Sequence, residues 1–410
     1  MLEQKINTSI KILLCLLTVV LSNSGPTLIK QTYRFKTLPD DGSYSLIISN
    51  ISGDLVVSGH EGSGAFINIE KITFGIKKKD IQNIHKKENI TVNHLEDQNQ
   101  INIIGDSSSS NTDFIQTSIK LSLPKHINLN FNINGGDISI DRIIGKINLS
   151  TLGGDIVIKD SEGEINSLTN GGTINIQNSE GNAEIHSFGG GIEMQNFEGI
   201  ISSSTIGGDI TLNSISGNIN CQSSGGSIIL TDIKGNVISC RASGGEIIGE
   251  NLSGEITFKC FGNNTNIKNI SGIGNLYSSG GNISIKKFVG ALKINNEKGD
   301  IIIDDAVGSI EAITSSGDID VDLSYDSSIN DYSIFIETHN GNIKTVVPKN
   351  LPANMENIVY QTTSVKAIDS DIILKIETEH EKIIGKRTIA GGTVPFSLRA
   401  HHGTITIKDK

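Results

Sequence analysis

The chain has 410 residues, of which 45 are acidic and 34 are basic, giving a formal net charge of -11 at pH 7. An acidic chain lacks the basic stripe that neutralises phosphates, which argues against a nucleic-acid-binding protein. Aromatic residues make up only 4% of the chain and tryptophan is absent, which disfavours the aromatic platforms common in sugar-binding grooves.

The first 24 residues are typical of a secretory signal peptide. Lys5 and Lys11 precede an apolar run over residues 12–21, and Ser22-Asn23-Ser24 supplies small residues of the kind that a signal peptidase reads. The run is too short to span a bilayer as a helix, and no other stretch approaches the required length. We therefore predict cleavage near Ser24, an extracytoplasmic location (periplasm, cell surface or secreted) and no transmembrane segment in the mature chain.

Residues 25–130 lack a strict period but alternate apolar and polar side chains over short stretches, which predicts an irregular β-rich N-terminal cap with early coils. The candidate strands are Thr32–Phe35, Tyr44–Ile48, Leu55–Ser58, Phe66–Ile69, Ile90–Val92, Ile101–Ile104 and Ser118–Leu123. The phrase Gly53-Asp54-Leu55 already has the turn pattern of the later repeats. The charged residues 77–88 predict a loop or a short helix, and residues 107–110 predict a flexible tip.

Residues 131–323 repeat every 18 residues. Each unit opens with two residues that are usually Gly-Gly, and a further glycine follows ten residues later. The units open at Gly135, Gly153, Gly171, Gly189, Gly207, Gly225, Gly244, Gly262, Gly280, Lys298 and Ser316. The interval between Gly225 and Gly244 is one residue longer than the others. A fixed period near 20 residues is the mark of a solenoid, in which each coil buries its apolar face against its neighbours.

Within each unit, apolar residues three and five positions after the opening alternate with polar ones, as in Ile138 and Ile140, which predicts a half-buried strand. A second strand follows the mid-unit glycine. Its inward column is predicted to be Ile147, Ile165, Ala183, Ile201, Ile219, Val237, Ile256, Leu292 and Ile310. The predicted fold is therefore an all-β, single-stranded parallel β-solenoid (β-helix). It has about 18 residues and two short strands per coil, irregular β caps at both ends, and a right-handed sense by the general crossover preference.

Two residues before each opening lies a column of small, mostly polar side chains. Its members are Thr151, Thr169, Ser187, Thr205, Ser223, Ala242, Cys260, Ser278, Asn296 and Thr314. By parity they point inward, so we interpret them as an internal polar ladder that bonds the turn backbone. An exposed threonine array of the ice-binding type would need the opposite parity.

Cys221 and Cys240 occupy the same position in consecutive units and should stack on adjacent coils, near the separation that a disulfide needs. We favour two small buried side chains over a disulfide, because apolar residues such as Leu149 fill this column elsewhere. The cysteines lack the histidine partners and CxxC spacing of a zinc site.

After Val321 the period breaks, and residues 324–410 predict irregular C-terminal coils and a cap. Ser324–Asp331 is a polar insertion. Candidate strands follow at Ser333–Glu337, Ile372–Ile376, Val394–Arg399 and Thr404–Lys408.

Two sets of residues were candidates for chemistry. An aspartate recurs two positions after the opening at Asp137, Asp155, Asp209, Asp300 and Asp318, but the calcium-roll spacing is absent, so bonding of the Asx type to the turn backbone explains the column. The nine histidines form no catalytic or metal-binding motif, and we expect each to be a solvated surface residue; they are His60, His85, His94, His126, His186, His339, His380, His401 and His402. We therefore predict no catalytic residue, no metal site and no cofactor, and the sequence identifies no ligand-binding residues.

Several phrases resemble those of the bacterial putative-adhesin family of β-solenoid domains of unknown function, which is related to adhesin head domains. They are Leu123-Pro124-Lys125-His126-Ile127-Asn128-Leu129, the serial G-G-D-I-x-I units such as Gly153-Gly154-Asp155-Ile156-Val157-Ile158, and Thr338-His339-Asn340-Gly341-Asn342-Ile343. The resemblance covers nearly the whole mature chain. It implies surface attachment, but it supplies no catalytic or ligand residues.

The sequence therefore favours a secreted or cell-envelope, non-enzymatic β-solenoid that acts as an adhesin-like surface or scaffold protein, with a glycan or a protein as its partner. One alternative is a polysaccharide-active β-helix enzyme of the lyase or hydrolase type, with its site before Gly135 or after Val321. Another is a self-assembling scaffold whose units stack end to end. The oligomeric state is not predicted.

Overall fold

The computed structural model describes residues 16–20, 26–74, 89–106, 115–329 and 331–410. In these ranges the regular structure is β, apart from single 3-10 turns at Glu96–Gln98 and Val365–Ala367. Most of the predicted signal peptide, the charged residues 77–88 and the predicted tip at 107–110 lie outside the described residues. The chain divides into two compact units, unit 1 at residues 1–199 and unit 2 at residues 200–410.

Unit 1 contains fourteen strands and the beginning of a fifteenth. They are β1 (Leu16–Val20), β2 (Thr27–Phe35), β3 (Ser45–Ser49), β4 (Asp54–His60), β5 (Ala65–Thr73), β6 (Ile90–Leu95), β7 (Gln100–Gly105), β8 (Ile115–Pro124), β9 (Asn128–Ile133), β10 (Ile138–Asp141), β11 (Ile144–Thr151), β12 (Ile156–Lys159), β13 (Glu162–Thr169), β14 (Ile174–Ser187) and β15 (Ile192–Thr205), within which the unit boundary falls.

The cap of unit 1 is antiparallel. Strand β2 pairs with β1 and β5, β5 also pairs with β8, and β6 pairs with β7. The parallel coils begin with β3 and β4, since β3 pairs with β9 and β4 pairs with β10. Leu55 lies opposite Ile138, so the early coil predicted at Gly53-Asp54-Leu55 is confirmed.

Unit 2 consists of parallel coils followed by a mixed segment. Its strands are β16 (Ile210–Ser216), β17 (Ile219–Ser223), β18 (Ile228–Ala242), β19 (Ile247–Cys260), β20 (Thr265–Ser278), β21 (Ile283–Asn296), β22 (Ile301–Thr314), β23 (Ile319–Leu323), β24 (Ile334–Asn340), β25 (Ile343–Val347), β26 (Ala353–Tyr360), β27 (Ile368–Ser370), β28 (Lys375–Glu379), β29 (Lys382–Thr388), β30 (Val394–His402) and β31 (Ile405–Asp409).

The predicted all-β, parallel β-solenoid is confirmed, because successive coils pair in parallel and in register. In unit 1, Ile138 lies opposite Ile156, which lies opposite Ile174. In unit 2, β20 pairs with β21 and β21 pairs with β22 along their lengths, except at the corner residue of each coil, at a spacing of one repeat. The inward isoleucines are fully buried, as at Ile156 and Ile301, so each coil covers the apolar face of the next.

The corner between the two strands of a coil has a left-handed backbone residue, which the 18-residue repeat did not predict. Its φ lies near +50 to +60° at Arg142, Asp160, Asn178, Asn196, Ser214, Asp232, Asn251, Asn269, Lys287 and Asp305. Asparagine and aspartate tolerate this conformation better than other residues with a Cβ. The next residue of each coil points inward and forms a further buried column, with Ile143, Phe197 and Phe288 among its members.

One inward assignment is wrong. Val237 is 47% exposed, whereas Ile238 is fully buried and pairs with Ile219. The register of β18 shifts between Lys234 and Val237, so the extra residue of this repeat is accommodated immediately after Gly235. The insertion therefore moves the inward position one residue along the chain.

The preference for two unlinked cysteines is also wrong. Cys221 and Cys240 lie opposite each other on β17 and β18, as predicted, and they form a disulfide. Their Cα atoms are 4.7 Å apart, which is within the range that a disulfide requires. In-register stacking of two cysteines on adjacent coils supplies this separation directly.

The internal polar ladder is confirmed. Its members are buried, and apart from Ala242 their side chains bond backbone groups of the turns, in most cases carbonyls of their own coil or of the neighbouring coil. Thr169 Oγ1 donates to the Gly154 carbonyl at 3.0 Å, and Asn296 Nδ2 reaches the carbonyls of both Gly281 (3.1 Å) and Gly299 (3.0 Å). The column therefore satisfies backbone groups that would otherwise be buried without partners.

The C-terminal segment differs from the prediction in two ways. Strand β28 begins at Lys375, three residues later than the predicted strand at Ile372–Ile376. Strands β25, β26, β27 and β29 were not predicted, and β29 pairs antiparallel with both β26 and β28. Strand β30 lies between β24 and β26 and is parallel to both.

Candidate functional site

The outer face of unit 1 carries an open groove of about 290 Å³ across the second strands of four coils. We call it the asparagine groove; it is lined by Asn130, Phe131, Asn132, Asn148, Leu149, Ser150, Asn166, Ser167, Leu168, Glu184 and His186. Four of the eleven lining residues are asparagines. The main chain of Phe131, Leu149 and Ser167 forms its floor, because the side chains of these residues point into the coil interior and are buried.

Strand alternation places the remaining lining side chains on the outside. Ile147 and Leu149 face inward, so Asn148 and Ser150 face outward, and the same parity holds on each neighbouring coil. Because the pairing is in register, Asn130, Asn148 and Asn166 form one row across adjacent strands. Side chains at the next outward position are short at Asn132 and Ser150 and longer at Leu168 and His186, which leaves a depression over the shorter ones.

The row of amides is internally bonded. Asn166 Nδ2 donates to Asn148 Oδ1 at 2.8 Å and to Glu164 Oε1 at 3.0 Å. Among the described residues, the side-chain amide hydrogens of Asn148 and the side-chain oxygen Oδ1 of Asn166 have no protein partner. The row therefore presents a donor and an acceptor side by side, in orientations that the Asn166–Asn148 bond fixes.

Charges lie at one end and along one edge of the groove. His186 Nε2 lies 3.2 Å from Glu184 Oε1, and both side chains are exposed. At the edge, Lys146 Nζ contacts Glu164 Oε1 at 2.8 Å. Hydrogen bonds from Lys146 and Asn166 lower the pKa of Glu164, so this carboxylate stays ionised.

The aspartate column bonds backbone, as predicted, but it does so between coils rather than within its own turn. Asp137 Oδ1 accepts the Asp155 N–H at 2.8 Å, and Asp155 Oδ1 accepts the Thr173 N–H at 2.7 Å. In unit 2, Asp300 Oδ1 accepts the Asp318 N–H at 2.9 Å. Each carboxylate thus serves the next coil as a hydrogen-bond acceptor.

Unit 2 carries a second polar and aromatic cluster on its outer surface. The Arg241 guanidinium lies 4.2 Å from the centroid of the Phe261 ring, and the Tyr277 ring lies 5.6 Å from Phe261. Tyr277 donates a 2.6 Å hydrogen bond to Glu297 Oε1, which raises the pKa of Tyr277. Because Arg241 and Tyr277 cover Phe261, this cluster offers a ligand less open aromatic surface than an unpacked ring would.

The expectation that every histidine is solvated is wrong for at least two of them. The His94 side chain is 11% exposed, lies 3.0 Å from the Tyr44 hydroxyl and contacts Phe35 edge to face, and burial lowers its pKa. His401 Nε2 lies 2.8 Å from Glu337 Oε1, and its ring stacks on those of His339 and Tyr360. His85 lies outside the described residues.

No groove residue was predicted from the sequence to be a ligand. A signal was present, since asparagine recurs at the same outward position in Asn130, Asn148 and Asn166. Surface asparagines of this kind are common, however, and the depression depends on the lengths of side chains from four coils. Among the described residues, no helix has the length and hydropathy needed to cross a bilayer.

Two proteins of known structure and one family resemble this chain. A family model described as Toastrack DUF4097 matches residues 164–408. A putative cell adhesion protein from Clostridium sporogenes is 10% identical, with 93% of this chain and 100% of that chain covered and a TM-score of 0.17. A putative adhesin from Bacteroides fragilis is 15% identical, with 77% and 96% covered and a TM-score of 0.19. No curated protein matches the chain. Because the family model spans more than half of the sequence, the chain belongs to the Toastrack DUF4097 family, whose domains have no known function.

Proposed function

We propose that this protein is a non-enzymatic, adhesin-like β-solenoid that works outside the reducing cytoplasm and binds a glycan in the asparagine groove. The observation that carries the proposal is the hydrogen-bonded pair Asn148 and Asn166, which displays a donor and an acceptor on an open strand face. Amides that already hold their orientation lose little side-chain entropy when a ligand arrives.

A glycan fits the chemistry of the groove. Sugar hydroxyls both donate and accept hydrogen bonds, and they match the mixed donor and acceptor character of the amides and of Ser150. The net charge of -11 disfavours acidic ligands, so a neutral saccharide is the preferred class. Leu168 supplies an outward-facing apolar side chain for contact with a sugar ring.

The lining supports binding rather than hydrolysis. Most glycoside hydrolases place two carboxyl groups across the scissile bond. Glu184, the one carboxylate in the lining, is paired with His186, and Glu164 at the edge is engaged by Lys146 and Asn166. Adhesion also tolerates weak single contacts, because many copies on one surface bind together.

The disulfide supports the location. Disulfides persist in oxidising compartments and are rare in cytosolic proteins. Cys221 and Cys240 are linked and nearly fully buried, and this pairing accords with the secretory signal that the N-terminal sequence predicts. We therefore propose an extracytoplasmic site of action, reached after cleavage near Ser24.

A glycan array followed by calorimetric titration tests the proposal. We expect the chain without residues 1–24 to bind at least one neutral polysaccharide, and the double variant Asn148→Ala/Asn166→Ala to bind it at least tenfold more weakly. Two neutral hydrogen bonds at roughly 0.5–1.5 kcal/mol each account for a loss of this size. The matched control is Asn220→Ala/Asn275→Ala, which removes outward asparagines at the equivalent strand position outside the groove.

Three outcomes would overturn the proposal. The first is that no glycan binds, and the second is that the control variant loses affinity as strongly as the groove variant. The third is release of new reducing or unsaturated ends from a bound polysaccharide, which would favour the enzyme alternative. Sedimentation at several protein concentrations detects end-to-end assembly, because the sedimentation coefficient of an assembling chain rises with concentration.

A further inference from the structure

We infer that the outer face of the C-terminal coils of unit 2 contains a binding site for a zinc-like divalent metal ion, formed by Glu337, His339 and His401. The nine histidines of the chain show no metal-binding spacing, because the two elements that meet here are far apart in sequence. Glu337 and His401 are separated by 64 positions. The inference does not depend on the asparagine groove, which lies in unit 1.

Strand pairing brings the three side chains together. Strand β24 pairs in parallel with β30, and its register sets Thr338 beside Ala400 and Asn340 beside His402. His339 and His401 are therefore neighbours across the ladder. Thr338 is buried, so Glu337 and His339 face outward, two residues apart on the same strand.

The donor atoms lie within reach of one ion. Glu337 Oε1 is 2.8 Å from His401 Nε2 and 3.9 Å from His339 Nε2, and one donor atom of each residue lies within 4.8 Å of the others. The side chain of Glu337 is 17% exposed, that of His401 is 30% exposed and that of His339 is 50% exposed. The site is thus anchored on its inner side and open on its outer side.

Ring stacking fixes the orientation of His401, whereas the half-exposed His339 ring can still turn. The His401 ring lies between His339 and Tyr360, with centroids 4.6 Å away on each side. This distance is the strand spacing of the sheet, so the ladder itself produces the stack. The rings of His339 and His401 are nearly parallel, and the half-exposed His339 ring must turn about its side-chain bonds to direct Nε2 at an ion held by the other two residues.

The donor set indicates the metal class. Two imidazole nitrogens and one carboxylate oxygen are the protein ligands of many zinc sites that leave a fourth position open. Calcium requires six to eight oxygen donors and magnesium prefers oxygen donors, so neither fits. Arg399 shares the outer face, but its guanidinium stacks over the Phe335 ring at 5.1 Å from the centroid, and this contact directs its charge toward Phe335.

Titration of the purified mature chain with zinc chloride tests the inference. The protein should carry no histidine tag, and it should first be treated with a chelator that is then removed. We expect one zinc ion per chain and a higher unfolding midpoint with zinc. The variants His339→Ala and Glu337→Gln should raise the zinc Kd at least about tenfold, because even changes to residues behind the ligands cost 10–100-fold. Titration with cobalt should add an absorption band that His339→Ala removes.

His380→Asn is the matched control, since His380 is an exposed histidine of unit 2 outside the cluster, with a left-handed backbone that asparagine tolerates. It should bind zinc as the wild-type chain does. Circular dichroism and the metal-free unfolding midpoint establish that His339→Ala folds normally, as its exposure predicts. The inference is overturned if zinc does not bind saturably, or if folded His339→Ala binds it with wild-type affinity.

Discussion

Cys221 and Cys240 form a disulfide across the one repeat that is a residue longer than the others. Their separation of 19 residues includes the bulge after Gly235, which shifts the inward position to Ile238. The crosslink therefore joins β17 to β18, the strand whose pairing with the next coil, β19, is interrupted. A covalent bond between β17 and β18 holds the register of the coil that carries the extra residue.

Removing this disulfide should destabilise unit 2. For a loop of this length, we expect Cys221→Ser/Cys240→Ser to lower the free energy of unfolding by about 3 kcal/mol, measured by denaturant titration. The control is Cys260→Ser, because serine is native at the equivalent position at Ser223 and Ser278 and because Cys260 Sγ already contacts carbonyl oxygens. Equal losses in the two variants would contradict a stabilising disulfide.

The shifted inward position predicts opposite results for two adjacent residues. Ile238→Ala should cost about 2–5 kcal/mol, since it removes fully buried methyl and methylene groups. Val237→Ala should change stability by no more than about 0.5 kcal/mol, because Val237 faces solvent. Chemical denaturation of both variants checks the assignment. A larger loss of unfolding free energy from Val237→Ala than from Ile238→Ala would indicate that Val237 is the inward residue, as the strict 18-residue period predicts.

The aspartate column predicts that stability depends on its hydrogen-bond acceptors and does not depend on calcium. Asp155→Ala removes the acceptor of the Thr173 N–H and should cost about 1 kcal/mol. Asp155→Asn keeps an oxygen at the same place and should lie near wild type. Calcium should leave the wild-type unfolding midpoint unchanged; a calcium-dependent rise that Asp155→Asn abolishes would mean that the column binds ions.

His94 predicts a pH dependence of stability in unit 1. Its pKa is lowered below 6.5 by burial, so below pH 6.5 the unfolded chain takes up a proton that the folded chain does not. Stability should therefore fall as the pH drops from 6.5 toward the folded pKa of His94, with a slope of at most about 1.4 kcal/mol per pH unit. His94→Gln retains an acceptor for the Tyr44 hydroxyl and should flatten this part of the profile. Thermal unfolding between pH 7 and 5 measures the effect, and superimposable profiles would contradict it.

Much of the fold was predictable because the same pattern of glycine, apolar and polar positions recurs in each coil. Apolar alternation identified Ile156 and Ile174 as stacked core residues, and parity identified Thr169 as an internal hydrogen-bonding group. The same parity rule failed at the left-handed corner residues. A positive φ at Asn178 turns the chain so that the following residue points inward, and simple alternation does not anticipate this turn.

The candidate sites were less predictable for a different reason. The asparagine groove depends on side-chain lengths contributed by several coils, and Asn148 and Asn166 resemble ordinary surface residues when considered singly. Glu337 and His401 come together only because β30 inserts between β24 and β26. No periodicity connects this part of the chain, since the 18-residue repeat has already ended.

A crystal structure of the mature chain with an oligosaccharide selected on the array would test the groove most directly. We predict saccharide hydroxyls within hydrogen-bonding distance of Asn148 Nδ2 and Asn166 Oδ1, with the coils in their present register. A saccharide bound at another surface, while these two amides stay solvated, would contradict it.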